Sequence, residues 1–237
     1  MKFAVIAAGE GSRLKQEGIK ENKPLVCLNG EYMLSRLIRI FTMHAASEII
    51  VIVNPQMPDV VDLAHKLKCE HESTRHCKIT VLEKTTPSSM HSFFEMSPML
   101  ENGPFCLTTV DTIFREKDFG NFIHVFQNFP GDALMAVTDY IDDERPLYVG
   151  TESDMAITGF YDTENHCKYI SGGIYCMKPS VIPSLYKCMT DGQSRMRSFQ
   201  RQLLVDGLRV KAYRFSKIID VDHAADIPKA ELFLQTE

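Results

Sequence analysis

Glycines and cations near the N-terminus are spaced as a phosphate-binding loop requires. Gly9 and Gly11 follow an apolar run that begins after Lys2, and Arg13 and Lys23 come after them. Glycines let backbone N–H groups approach an anion because no Cβ intervenes, while a guanidinium and an ammonium add charged donors. Together these groups could hold a triphosphate.

Carboxylates in two distant parts of the chain could hold a divalent cation over such phosphates. Asp111 follows the apolar run 105–110, so the end of a strand would carry it to the same sheet edge as the glycines. Asp220 and Asp222 alternate in Ile-Ile-Asp-Val-Asp, which would place both on one side of a strand. Carboxylates brought together repel one another unless a cation or protons compensate. We therefore expect Asp111, Asp220 and Asp222 to be metal ligands.

Two of these aspartates could also have structural roles. Asp111 could be a turn residue at the end of a strand. Asp222 could cap a final helix that starts at His223, and it could do so while also binding metal.

Alternating strands and helices must position these residues. Apolar and β-branched runs predict strands over residues 2–8, 48–54, 78–84, 105–110, 133–138, 148–151, 156–162, 169–177 and 210–215. Helical spacing and capping residues predict helices over residues 32–45, 58–68, 88–100, 117–129, 181–189 and 197–205, with a last helix from 223 onward. Gly207 is expected to cap the sixth of these helices.

This alternation indicates an α/β fold. Strands separated by helices pair in parallel through right-handed crossovers, so we expect a doubly wound, mostly parallel, Rossmann-like sheet flanked by helices. The extended segments between about residues 140 and 180 would lengthen the sheet and form a wall of the substrate pocket. No linker divides the chain, so we expect one domain over residues 1–237, which could contain a small substrate-side subdomain in that segment.

Composition and charge narrow the function classes. The formal net charge of −5 argues against a general nucleic-acid binder, since such proteins carry a basic excess. No apolar stretch approaches membrane-spanning length, and the N-terminus lacks the regions of a signal peptide, so we expect a cytoplasmic protein that contacts no membrane. The sequence leaves open whether the chain forms a homo-oligomer.

Cysteine usage agrees with that compartment. The seven cysteines are scattered and include no Cys-x-x-Cys pair, as expected of reduced thiols. Cys69, His71, His76 and Cys77 could surround zinc, but neither spacing is a usual ligand pair, so we do not expect a zinc site.

The glycine loop departs from two well-known phosphate motifs. The dinucleotide pattern requires a third glycine where this chain has Leu14, and the Walker pattern requires a Gly-Lys-Ser/Thr that is absent. The loop instead resembles the signature of the nucleotidyltransferases that make nucleotide sugars, Gly-x-Gly-Thr/Ser-Arg-Met/Leu followed after a variable loop by Lys-Pro-Leu. The matching residues are Gly9, Gly11, Ser12, Arg13, Leu14, Lys23, Pro24 and Leu25. The alternative is a glycine-rich turn with solvated charges.

The resemblance implies a fold, an activity and a cofactor. The family has a three-layer, GT-A-like fold and transfers a nucleoside monophosphate from a nucleoside triphosphate to a sugar 1-phosphate or similar phosphorylated acceptor, with release of pyrophosphate. By the resemblance Mg²⁺ would lie on Asp111 and on the Asp220 and Asp222 pair. The nucleotide would contact Ala8, Gly9, Gly11 and Ser12. Arg13 would hold the departing phosphates and Lys23 the reacting α-phosphate.

Two further segments match the family less specifically. Ser88 and Ser89 lie where the family contacts the nucleotide base, although they could equally begin a helix. The segment Ser171, Gly172 and Gly173 resembles Asn-Ala-Gly, which approaches the sugar phosphate in the family; the alternative is a glycine-bearing strand that bends.

The family's Glu-Lys-Pro motif, whose lysine contacts the sugar phosphate, is missing. Lys168 lies in the same region without the flanking pattern. The acceptor could therefore be a sugar phosphate, phosphocholine or another phosphomonoester.

Two other functions remain open. A nucleotide-binding regulatory or partner subunit without turnover would tolerate the missing lysine motif. A glycosyltransferase of related fold would use an Asp-x-Asp metal site, whereas this chain has Thr-Val-Asp at 109–111. No Ser-His-Asp or Cys-His arrangement indicates a covalent nucleophile, which agrees with a transfer that depends on positioning and charge neutralisation.

Overall fold

The computed structural model describes residues 1–74 and 77–235. Its strands are β1 Lys2–Ala7, β2 Cys27–Leu28, β3 Glu31–Tyr32, β4 Glu48–Val53, β5 Lys78–Glu83, β6 Phe105–Thr109, β7 Thr112–Phe114, β8 Ala133–Thr138, β9 Tyr148–Thr151, β10 Ile157–Tyr161, β11 Tyr169–Met177, β12 Val210–Arg214 and β13 Ile218–Asp220. Its helices are α1 Ser12–Gln16, α2 Met33–Met43, α3 Pro58–Thr74, α4 Ser89–Met96, α5 Glu116–Gln127, α6 Ile182–Thr190, α7 Met196–Val205 and α8 Asp226–Gln235.

Within these residues, nine strands form one central sheet. Its order is β10-β9-β11-β6-β1-β4-β5, and β8 pairs with both β11 and β12. β6, β1, β4 and β5 are mutually parallel, as are β8 and β12, whereas β11 runs antiparallel to its three neighbours. The prediction of a mostly parallel α/β sheet is confirmed, and the late strands do extend it.

The sheet is covered on both faces, as expected of strands that read as continuous apolar runs. On one side, Phe3 of β1 stacks on Phe41 of α2 with ring centroids 4.6 Å apart and also contacts Phe119 of α5. On the other side, Ile6 of β1 belongs to a cluster that includes Phe93 of α4. Burying one such side chain stabilises the fold by roughly 1.5–3 kcal/mol, so the two clusters fix the position of β1 firmly.

Ion pairs tie three strands together at the amino edge of the sheet. Glu48 of β4 lies 3.0 Å from Nζ of Lys2 on β1 and 2.8 Å from Nζ of Lys78 on β5, and it accepts a 2.8 Å hydrogen bond from Thr80. Burial opposes ionisation of Glu48, but the bonds from Lys78, Lys2 and Thr80 outweigh it and lower its pKa to about 2.

The carboxyl edge gathers the chemically interesting loops. The glycine loop follows β1, and Asp111 lies in the turn between β6 and β7. β13 pairs antiparallel with β7, so that Asp220 stands opposite Thr112. This short two-stranded sheet brings the C-terminal aspartates beside Asp111.

The structure corrects the expected geometry of the C-terminal acids. Asp220 and Asp222 do not share a strand, because β13 ends at Asp220 and the N–H of Asp222 turns back to donate to the Asp220 carbonyl at 3.1 Å. The last helix begins at Asp226 rather than at His223, and Asp226 itself accepts the N–H groups of Asp222 and His223. Asp222 is therefore not the residue that caps this helix.

Two predicted helix caps are present in the structure. Ser88 caps α4, where its hydroxyl oxygen accepts the N–H of His91 at 3.4 Å. Gly207 follows α7 with φ 73°, and its N–H donates to the Leu204 carbonyl, as a left-handed C-terminal cap does. The short helix α1 was not predicted, and α3 extends six residues beyond its predicted end at 68.

The structure bears on only a few of the expectations about compartment and metals. No helix in the described part of the chain is long and apolar enough to cross a membrane. All seven cysteines are free thiols. The zinc hypothesis included His76, which lies outside the described residues. The single domain with its small subdomain stays a prediction.

Candidate active site

The glycine loop turns sharply between β1 and α1. Gly11 adopts φ 60°, in the left-handed region, and a Cβ there would lie 3.0 Å from Cβ of Lys23. Gly9 has no left-handed φ, and a Cβ on it would meet nothing within 4 Å. Gly11 is therefore required by the fold of the loop, whereas the space beside Gly9 is open to a ligand.

Lys23 is the buried centre of the site. It begins a single 3₁₀ turn, Lys23–Leu25, and the residue is only 9% exposed. Its Nζ lies 2.5 Å from Oδ2 of Asp111 and 2.5 Å from Oδ1 of Asp222. One ammonium thus joins the N-terminal motif to both acidic segments that the sequence singled out.

Lys23, Asp111, Asp220 and Asp222 form a charged cluster, and the protonation of each depends on the charges of the others. Burial disfavours the charged form of Lys23, but the carboxylates of Asp111 and Asp222 outweigh it and raise its pKa. Burial likewise opposes ionisation of Asp111, yet Lys23 holds its pKa below the ordinary value. Desolvation by the neighbouring side chains, together with the negative charges of Asp111 and Asp222, raises the pKa of Asp220 well above its usual range. The cluster therefore still carries more negative charge than Lys23 alone neutralises.

A second set of contacts holds Asp222 from the other side. Arg13 Nη1 donates to Oδ2 of Asp222 at 2.8 Å. Glu17, directly after α1, lies 2.5 Å from Nδ1 of His223 and accepts the N–H of Ala224 at 2.6 Å. The hydrogen bond to Glu17 raises the pKa of His223. The helix after the glycine loop is thus fastened to the turn that carries Asp222.

Two cavities lie near this cluster, and Ser88 and Ser89 line both of them. The larger, of about 720 Å³, is lined by Ala8, Gly9, Gly11, Lys23, Asp111, Ser88 and Ser89 among others. It brings together most of the residues predicted to bind nucleotide. Ser12 and Arg13 line an adjoining cleft together with Asp222.

The other cavity, of about 440 Å³, lies on the side of β11. Ser171, Gly173 and Asp220 line it, and so do Arg145 and Arg195. Neither guanidinium forms a hydrogen bond or ion pair with another residue of the described ranges. This cavity therefore offers two guanidinium groups that form no ion pair within the described residues.

The glycines of β11 have structural reasons of their own. Gly173 has φ 72° in a stretch where the pairing of β11 with β8 shifts register between Ser171 and Tyr175. A Cβ on Gly172 would meet Cδ1 of Ile218 at 2.2 Å, so this glycine allows β13 to pack against β11. The bend foreseen as an alternative is present, and it leaves Ser171 at the cavity. There Gln200 Nε2 donates to the Ser171 hydroxyl at 2.9 Å.

The acidic residues suit a magnesium ion that is shared with a ligand. Among the described residues, no group of three or more His, Cys, Asp or Glu side chains is arranged to hold a metal. Asp111 and Asp222 nevertheless converge within bonding distance of a single cation, the Lys23 ammonium. Mg²⁺ is commonly held by one or two carboxylates together with substrate phosphates, so this pair fits the ion. Asp220 makes no such contact, and its role as a ligand stays a prediction.

Some candidate functional residues carried no signal in the sequence. Arg145 and Arg195 are exposed loop residues without a surrounding motif, and Gln200 lies within an ordinary amphipathic helix. Glu17 and His223 are more than two hundred residues apart, so only the fold shows that they meet. The one available hint was the missing lysine motif, which left the acceptor phosphate without a cationic partner.

Comparisons with known proteins give a family match and a shared fold. A family model described as the MobA-like NTP transferase domain matches residues 3–207. An inositol-1-phosphate CTP transferase from T. maritima is 17% identical with a TM-score of 0.77, over 98% of this chain and 97% of that chain. A putative glucose-1-phosphate thymidylyltransferase from Bacillus anthracis, solved in complex with sucrose, is 17% identical with a TM-score of 0.84, over 100% of this chain and 96% of that chain. At this identity the likeness shows a shared fold. No curated protein matches the sequence.

Proposed function

The chain belongs to the MobA-like NTP transferase family, and on that premise we propose that it transfers a nucleoside monophosphate from a nucleoside triphosphate to a phosphorylated sugar, polyol or similar acceptor. Pyrophosphate is the second product. Membership supports a nucleotidyltransferase, and the acceptor class and the dependence on Mg²⁺ are our proposals.

One observation carries the proposal. Lys23 of the N-terminal motif, Asp111 after β6 and Asp222 after β13 meet at a single point, where Lys23 and Asp111 line the larger cavity and Asp222 lines the adjoining cleft. A triphosphate in the larger cavity would reach that point, and the smaller cavity, which shares Ser88 and Ser89 with the larger one, would hold the acceptor phosphate. Transfer between two phosphates requires this kind of positioning and charge neutralisation more than it requires a covalent nucleophile.

The reaction uses the chain's own groups in distinct ways. An oxygen of the acceptor phosphate attacks the α-phosphorus, the bond from that phosphorus to the bridging oxygen breaks, and pyrophosphate leaves with the bonding electrons. Backbone N–H groups around Gly9 and Gly11 and the guanidinium of Arg13 hold the departing phosphates. Lys23 neutralises charge on the α-phosphate. When bound, Mg²⁺ on Asp111 and Asp222 supplies further charge neutralisation to the phosphate oxygens.

Arg145 and Arg195 would bind the acceptor phosphate. Their guanidinium groups suit bidentate contacts with phosphate, and in this structure they have no acidic partner among the described residues. They would supply the charge that the missing Glu-Lys-Pro lysine supplies in the resembling family. Ser171 and Gln200, already hydrogen-bonded to each other, present polar groups to acceptor hydroxyls.

The two similar structures favour a phosphorylated polyol or sugar as acceptor. One is an inositol-1-phosphate CTP transferase and the other a putative glucose-1-phosphate thymidylyltransferase. Because the first uses CTP and the second is named for a thymidylyl group, they leave the base of the nucleotide to experiment.

A pyrophosphate assay tests the function. Five triphosphates (CTP, UTP, dTTP, ATP and GTP) are crossed with glucose 1-phosphate, inositol 1-phosphate and phosphocholine, with Mg²⁺ or with EDTA. We expect pyrophosphate only when a triphosphate, an acceptor and Mg²⁺ are all present. Triphosphate binding without pyrophosphate from any pair would instead favour a non-catalytic subunit, and turnover of a nucleotide sugar would favour a glycosyltransferase.

A further inference from the structure

The contacts of Lys23 pose a problem for metal binding at the site. Its Nζ lies 2.5 Å from one carboxylate oxygen of Asp111 and 2.5 Å from one of Asp222. These are the two carboxylates proposed above to hold Mg²⁺, whose oxygen ligands lie about 2.0–2.1 Å from the ion. An ion coordinated by both carboxylates would therefore occupy nearly the position that the ammonium now fills.

We infer that Lys23 and the divalent cation occupy this position in turn, so that the nucleotide-free protein excludes the metal and the cation enters only together with the triphosphate. The inference rests on the proposed function, and it assigns Lys23 a role before catalysis as well as during it. Lys23 is a positioning residue here because it keeps the two carboxylates paired until the nucleotide arrives.

Charge makes the two occupants exclusive. An ammonium and a divalent cation within a few ångströms of each other repel strongly, and the partly buried setting screens that repulsion less than water does. The two negative charges of Asp111 and Asp222 are balanced either by the Lys23 ammonium together with one further positive charge or by the divalent cation alone. A free divalent cation must therefore displace Lys23 from both of its partners without offering it another.

The triphosphate supplies that other partner. Lys23 lines the same cavity as Gly9 and Gly11, where the phosphates would lie. A lysine side chain has a flexible stem, so Nζ can move from the carboxylates to a phosphate oxygen without movement of the backbone. The nucleotide thus provides a new partner for Lys23 and oxygen ligands for the incoming cation in a single event.

The two carboxylates would stay in place when Lys23 leaves them. The backbone carbonyl of Asp111 accepts the N–H of Val221 at 3.1 Å, which fixes the turn that carries its carboxylate. Arg13 holds the Oδ2 oxygen of Asp222 at 2.8 Å, on the oxygen that Lys23 does not contact. Removing the ammonium alone should therefore expose a pair of carboxylates that is already arranged for a cation.

Metal binding without nucleotide tests the inference. Mn²⁺ serves as the probe, and the loss of its free-ion signal in electron paramagnetic resonance reports binding to wild type, Lys23→Met, Lys23→Arg and the control Lys20→Met. Lys20 is exposed and lies in the same loop, so its variant removes one positive charge without touching the carboxylates. We expect Lys23→Met to bind one Mn²⁺ at least about tenfold more tightly than wild type, the scale of a close charge pair. Lys23→Arg and Lys20→Met should bind like wild type.

A second measurement keeps the inference testable if Lys23→Met does not fold, as circular dichroism would show. Wild type is titrated with Mn²⁺ in the presence and absence of a triphosphate analogue whose α,β bridge cannot be cleaved. We expect the protein-bound analogue to create a Mn²⁺ site that the nucleotide-free protein lacks. Lys23→Met that binds Mn²⁺ no better than wild type, or wild type that binds it equally well without the analogue, would overturn the inference. Pyrophosphate release by wild type would then still support the proposed function.

Discussion

Substituting alanine for each of two glycines in the N-terminal loop separates two effects. At Gly11 the change disturbs the backbone, and at Gly9 it blocks the approach of a ligand. Gly11 needs its left-handed φ of 60°, and an added Cβ would press on Cβ of Lys23 at 3.0 Å. An L-residue pays about 1–2 kcal/mol in that conformation. For a chain of this size that cost lowers Tm by about 2–8 °C. Gly11→Ala should therefore be less stable than wild type, and it should be less active because Lys23 is displaced.

Gly9→Ala should behave in the opposite way. Nothing lies within 4 Å of its added Cβ, and the backbone has no left-handed φ, so folding stability should stay unchanged or rise by about 0.4–1 kcal/mol. The Cβ would instead enter the nucleotide cavity and keep phosphate from the backbone N–H groups. Losing one hydrogen bond to a charged group costs about 1.5–3 kcal/mol, which is roughly a 10- to 150-fold loss in kcat/KM for the triphosphate.

Thermal unfolding and pyrophosphate kinetics on the same protein preparations distinguish the two effects. The reasoning fails if Gly11→Ala unfolds at the wild-type temperature, since the left-handed conformation would then carry no strain. It fails equally if Gly9→Ala keeps wild-type kinetics, because the open space beside Gly9 would then have no ligand to accommodate.

Three further predictions concern other parts of the molecule. Lys23→Ala should lower kcat/KM by about two to three orders of magnitude, because one preorganised charge contact is lost. The control Lys20→Ala, which changes an exposed lysine, should keep the wild-type kcat/KM. A loss of tenfold or less in folded Lys23→Ala would show that Lys23 takes no part in the mechanism. Arg195→Ala should raise KM for the acceptor by about tenfold or more while KM for the triphosphate stays constant in initial-rate kinetics; equal changes in both would place Arg195 elsewhere. Glu48→Gln should lose about 1–2 kcal/mol of stability at neutral pH. Because the folded pKa is depressed from 4.5 to about 2, that difference should shrink as pH falls between these values in urea titrations, and a constant difference would show that the charge of Glu48 is not its cause.

The sequence predicted well what local chemistry determines. The apolar runs predicted the central strands, and glycines at 9 and 11 predicted the tight turn that follows β1. That this turn and the cations at 13 and 23 bind phosphate stays a prediction. Asp111 followed from the same logic, since parallel strands bring their carboxyl ends to one edge.

Features that depend on pairing between distant segments were harder to predict. A period of two suggested that Asp220 and Asp222 share a strand face, but the turn at Asp220 ends β13 after three residues. The five residues of α1 are too few for helical periodicity to reveal. Arg145 and Arg195 lie in irregular segments, and only the folded chain shows that they border one cavity.

The fate of the α-phosphorus tests the account most directly. Wild-type protein is incubated with Mg²⁺, its preferred phosphorylated acceptor and a triphosphate labelled at the α-phosphorus or, separately, at the γ-phosphorus. The account predicts that the α label appears in a product joined to the acceptor through a new diphosphate linkage, while the γ label appears only in pyrophosphate. Label from the γ position on the acceptor, or α label released as free nucleoside monophosphate with no joined product, would contradict it.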